Sequence, residues 1–138
     1  MAIEMNDFAI ERMRDTVLRA QLNGGTITIY SGTIPSDVST FVPATHAGNL
    51  LLEYTGVSVA DNSALQYLYL SSLPTATASA TGTASWFAIR SASNADRAVL
   101  GDVTDEAGNG ALRLLSTSIT SGNSVQIQNF SIKIASAI

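Results

Sequence analysis

A chain of 138 residues suits one domain that can bury a core without disulfides or metals, and the absence of cysteine rules out a disulfide framework and a cysteine-based metal site. The net charge of −4 argues against a nucleic-acid binder, which carries a basic patch. Only 13% of the residues are charged, about half the usual share, and a surface so poor in charge suits a protein that faces other proteins.

Residues 4–19 hold seven of the chain's eighteen charges: Glu4, Asp7, Glu11, Arg12, Arg14, Asp15 and Arg19. The segment reads as a helix. Asn6 or Asp7 caps it, acids fill its first turn and Arg19 lies in its last. Phe8, Met13 and Val17 share a narrow apolar face, and "NGG" at 23–25 ends the helix as a glycine hinge. Glu4 and Asp7 stand where an export signal would place lysines, and no apolar run approaches the ~20 residues of a membrane span, so neither Sec-type export nor a membrane partner is expected.

After the glycines the period changes from about 3.6 to 2. "TITIY" (26–30) alternates Ile27 and Ile29 inward with Thr26, Thr28 and Tyr30 outward. Residues 31–48 hold Pro35 and Pro43 and read as a long excursion without an element. "NLLLEYTGVSV" (49–59) is strand-like with a break at Gly56, and "LQYLYL" (65–70) puts Leu65, Tyr67 and Tyr69 on one face and Leu68 and Leu70 on the other. "SLPTATASATG" (72–82) is a tract of small residues with no core of its own, expected as an exposed arm. "TASWFAIR" (83–90) sets Ala84, Trp86, Ala88 and Arg90 against Thr83, Ser85, Phe87 and Ile89. With an aromatic on each side, it reads as a central strand covered on both faces. "RAVLGDV" (97–103) and "ALRLLS" (111–116) are strands flanking a turn at 104–110. In "VQIQNFSIKI" (125–134) the apolar phase slips: Val125 and Ile127 are odd, Phe130, Ile132 and Ile134 even. A β-bulge at Gln128–Asn129 would restore one face. The sum is a mainly β chain: residues 1–25 form an N-terminal helix and hinge, and 26–138 form a single antiparallel β-sandwich or jelly-roll-like domain.

Catalytic and ligand chemistry finds little purchase. His46, the single histidine, lies in a loop with no second nitrogen or sulfur ligand to share a zinc, and reads as solvated. "GVSVA" (56–60) lacks the second glycine of a nucleophile elbow and no helix follows it. Asp102, Asp105, Glu106 and Asn109 gather oxygen ligands without the spacing of a calcium loop, and acids with Gly-Asn-Gly are what a turn requires. No pair among the eleven acids stands out for glycoside hydrolysis, and no phosphate or dinucleotide loop is present. Trp86 and Arg90 share a face about 13 Å apart at ~3.3 Å per residue, too far to stack. Trp86 reads as a core anchor; a carbohydrate platform would need it beside Tyr67 or Tyr69. Neither catalytic residues nor a metal or cofactor site are expected.

"ITIYSGTIP", "GTASWFAIR", "GDV" and "LLSTSITSGNSVQIQNFSIKI", in this order, resemble a group of small β-rich virion proteins of tailed bacteriophages. The likeness covers residues 26–134 in patches, without the helix at 6–22 and the loop at 31–48. It implies a capsid decoration (cement) protein, made in the host cytoplasm and sitting on the outer capsid surface. Such a protein is expected as a homotrimer holding the major capsid protein by non-covalent contacts multiplied through avidity. The alternatives are a neck, tail or fibre component, and a carbohydrate-binding β-sandwich module. On the cement reading the excursions 31–48 and 72–82 are contact arms, and residues 1–22 help oligomerise the protein or attach it to the shell.

Overall fold

The computed structural model describes residues 19–35, 42–62, 67–92 and 98–133. Most of the expected N-terminal helix lies outside them; its described end is one helical turn, Ala20–Leu22, whose Leu22 is buried in the core.

Among the described residues eleven strands follow: β1 (Thr26–Tyr30), β2 (Leu50–Tyr54), β3 (Val59–Asn62), β4 (Tyr67–Leu70), β5 (Thr75–Thr77), β6 (Gly82–Thr83), β7 (Trp86–Arg90), β8 (Ala98–Asp105), β9 (Leu112–Leu114), β10 (Ser118–Ile119) and β11 (Ser124–Lys133). The chain is mainly β, as its period-2 segments require. Eight strands run in the order β2-β1-β7-β8-β9-β11-β4-β3, β5 joins β11, and β10 pairs with β6 in a separate two-stranded ribbon.

The large sheet curls on itself. In a flat sheet β2 and β11, five steps apart in that order, would be about 24 Å apart at ~4.8 Å per strand. Instead the Tyr54 hydroxyl of β2 donates to the Val125 carbonyl of β11 at 3.0 Å. The rings of Phe87 on β7 and Phe130 on β11 meet edge to face at 5.5 Å. The curl encloses one apolar core that takes Ile27 and Ile29 from β1, Phe87 and Ile89 from β7, and Ile127 and Phe130 from β11.

Burial pushes the Tyr54 hydroxyl well above its ordinary value of 10.0. The native state therefore keeps this proton while the unfolded chain releases it. Its contribution to stability is fully present below pH 10 and is lost as pH rises beyond it. Tyr54→Phe is expected to cost about 1 kcal/mol at pH 7, through the lost hydrogen bond, and to flatten the alkaline fall in stability. Urea titrations at pH 7 and above pH 10 check both, and an unchanged alkaline slope contradicts the assignment.

The phase slip in β11 is a bulge. Ile127 faces Leu114, Asn129 faces Arg113 and Phe130 faces Leu112, with the register shift between Ile127 and Asn129. The extra residue keeps Ile127 and Phe130 on the core side, where both are buried.

Four expectations change. The sheet is not wholly antiparallel: β8 and β9 run parallel, with Val103 opposite Leu112 and Asp105 opposite Leu114. Parallel neighbours usually need a crossover of a dozen or more residues; here residues 106–111 suffice, because the chain doubles back against its own strand. Gly110 permits the return, since a Cβ there would lie 2.8 Å from Thr104 N and 2.9 Å from Asp102 O. Secondly, β1 is buried on both faces: Thr28 and Tyr30, read as outward, are 1% exposed. Thirdly, residues 72–82 are no free arm. β5 pairs with β11 and β6 with β10, Ser79 N–H donates to Leu51 O at 2.8 Å, and Ala78 is buried.

Finally, "NGG" is a clamp and no hinge. Gly24 N–H donates to Val57 O at 2.7 Å, Val57 N–H to Gly25 O at 3.1 Å, and Val59 N–H to the Asn23 side-chain oxygen at 2.9 Å. Gly25 lies so close to β7 that a Cβ would fall 2.0 Å from Arg90 O.

Candidate functional site

Trp86 sits where β7 meets the excursion after β1. Its partner across the ladder is Tyr30, and the two rings stack at 4.2 Å and 16°. The indole N–H donates to Ser31 O at 3.2 Å. The excursion then folds back over this pair. Residues 43–49 form a 3-10 helix, begun by Pro43 at its first turn, and Ser31 N–H donates to Asn49 O at 2.9 Å. His46 from that helix stands perpendicular to Trp86, with centroids 5.2 Å apart, and at 6.0 Å from Tyr30. It is thus a packed aromatic cover, where the sequence suggested a solvated loop histidine. The described parts of 31–48 lie on their own sheet, and residues 36–41 fall outside the described residues.

The result is a second small core on the outer face of β1 and β7, built on Tyr30, Trp86 and Ala88 with Ile34, Leu50, Ala98 and Leu100 against it. Trp86 is 1% exposed and presents no ring face to a ligand. Tyr67 and Tyr69 touch each other edge to face at 5.8 Å, but they sit on β4, with β8, β9 and β11 between them and β7. The carbohydrate platform is therefore not assembled. Arg90 pairs with Glu53 at 3.6 Å and stands at the rim of this face.

The acidic loop is a turn. The Asp105 carboxylate accepts from Ala107 N–H and Gly108 N–H, both at 3.1 Å. This is the usual use of aspartate in a turn. Among the described residues no three His, Asp or Glu side chains gather as metal ligands, and no helix is long and apolar enough to cross a membrane.

The surface feature that the sequence did not reveal lies beside the β6–β10 ribbon. After Leu114 the chain leaves β11 and turns to β10, which pairs with β6. A groove of about 310 Å³ opens between β10 and the start of β11. Leu115, Ser118, Ile119, Ser124, Gln126 and Gln128 are among its walls, and none of the described residues that line it is charged. Leu115 is 73% exposed, against 0% for Leu112 and Leu114. Two adjacent leucines were the available signal: on a period-2 strand, one of Leu114 and Leu115 must face out. Leu73, Val42 and Tyr69 add further exposed apolar surface.

Comparison with protein families, curated proteins and solved structures finds no match to this chain.

Proposed function

We propose that this chain is a structural protein of a tailed-phage virion, a decoration (cement) protein that binds the major capsid protein on the outer shell as a homotrimer. The order of its strand and turn motifs supports the reading, and so does its charge-poor surface. The observation that carries it is Leu115, held 73% exposed beside an uncharged groove. Covering such a side chain is worth roughly 1.5–3 kcal/mol, a gain that a protein partner collects without chemistry. Small gains of this kind, repeated by the symmetry of a shell, add through avidity.

Quantitative mass spectrometry of purified particles tests the assignment. A cement protein is expected at a copy number comparable to that of the major shell protein. A few copies per particle, the stoichiometry of one neck or tail ring, would replace it with the neck, tail or fibre alternative.

A further inference from the structure

Asparagine followed by glycine is a reactive pair, because a following residue without a Cβ leaves its amide nitrogen open to the asparagine side chain. The chain holds two such pairs, Asn23–Gly24 and Asn109–Gly110, and the fold treats them differently. At the first pair both reacting groups are held. The Asn23 side-chain oxygen accepts from Val59 N–H at 2.9 Å, and Gly24 N–H donates to Val57 O at 2.7 Å. Asn109 is exposed in the return between β8 and β9, and its side chain makes no hydrogen bond among the described residues. One bond restrains this second pair, from Gly110 N–H to the Thr104 hydroxyl at 3.0 Å.

We propose that Asn109 is a self-modification site, converted to aspartate and isoaspartate through a succinimide ring. The Gly110 amide nitrogen attacks the Asn109 side-chain carbonyl carbon. A new C–N bond forms, the bond from that carbon to Nδ2 breaks, and the departing NH2 takes the Gly110 amide proton and leaves as ammonia. Water then opens the ring. Its attack at the side-chain carbonyl gives aspartate. Its attack at the main-chain carbonyl gives isoaspartate, in which the chain runs through the side-chain carbons and gains one atom. Either product adds a negative charge to a return that already carries Asp105 and Glu106. The added atom has the larger effect. Gly110 is packed so closely that a Cβ there would lie 2.8 Å from Thr104 N and 2.9 Å from Asp102 O. A longer chain at this point pushes the return outward and loosens the parallel pairing of Val103 with Leu112. The Thr104 hydroxyl is the brake, since it occupies Gly110 N–H until the return opens locally. The inference rests on this return alone and is independent of the virion reading.

The test incubates the purified chain for weeks in mildly alkaline buffer and follows both pairs by peptide mass mapping with isoaspartate detection. Asn109 should convert about tenfold faster than Asn23, having one hydrogen bond fewer to break. In urea that unfolds the chain the two should convert at equal rates, because only the fold separates them. Thr104→Val releases the brake and should speed Asn109 about tenfold while leaving Asn23 unchanged. The isoaspartyl form should melt below Asn109→Asp, which has the same charge without the added atom. Asn23 converting as fast as Asn109 in the folded chain, or Asn109 staying intact there while the unfolded chain converts, would overturn the proposal. A Thr104→Val rate no higher than the parent's, or equal melting of the isoaspartyl form and Asn109→Asp, would also overturn it.

Discussion

Trp86→Ala will destabilise the protein by roughly 3–5 kcal/mol, the cost of removing a large buried aromatic and leaving a cavity. The indole is 1% exposed, stacks on Tyr30, and holds the start of the excursion through Ser31 O. Its loss leaves three consequences together: a void on the outer face of β7, an unstacked Tyr30, and a 3-10 helix whose His46 has lost its edge-to-face contact with the indole. Phe in its place keeps the stack but drops the hydrogen bond to Ser31, and should recover more than half of the loss. Urea midpoints at constant m-value measure both. A loss below about 1 kcal/mol for Trp86→Ala would mean that the outer cluster is not part of the cooperative core.

Gly25→Ala should be as damaging, for a different reason. The added methyl group would sit 2.0 Å from Arg90 O and 2.9 Å from Leu22 O, both backbone atoms. No side-chain rotation relieves either clash, so the 23–25 segment must move off β7. That movement strains the Gly24–Val57 and Val57–Gly25 hydrogen bonds and the burial of Leu22. Overpacking with a backbone shift costs roughly 3 kcal/mol here, the upper part of its usual range. Gly48→Ala is the control, because nothing lies within 4 Å of a Cβ at that position. Equal stability of the two variants would show that the clamp is loose.

The sequence disclosed what depends on side-chain period. The alternation of Trp86 and Ala88 with Phe87 and Ile89 placed β7 between two covered faces, and the slip from Ile127 to Phe130 located a bulge. What stayed hidden depends on backbone pairing and long-range cover. Thr75–Thr77 carries no apolar contrast, so its strand is visible only through the ladder to β11. Thr28 and Tyr30 are polar enough to read as outward, and only the chain folding back over them closes that face. Strand direction leaves no mark on period, so the parallel β8–β9 pair was illegible, although Gly108 and Gly110 marked its tight return. The "NGG" triplet has the composition of a hinge, but its contacts with Val57, Val59 and Arg90 are distant in sequence. The groove was half legible: Leu115 had to face out, but nothing in the sequence told that β10 would leave β11 for β6.

The fixed clamp also changes what a truncation can ask. A chain starting at Asn23 would remove Leu22 from the core, so the role of the N-terminal segment is better tested from Arg19 onward, which keeps the described helical turn.

The most direct measurement is saturation binding of the purified chain to tailed-phage shells that lack it, followed by the temperature at which those shells disrupt. The cement reading predicts saturable binding at a fixed ratio to the major shell protein and a higher disruption temperature for the loaded shells. Shells that bind none of the chain, or bind it without any gain in thermal resistance, would contradict it.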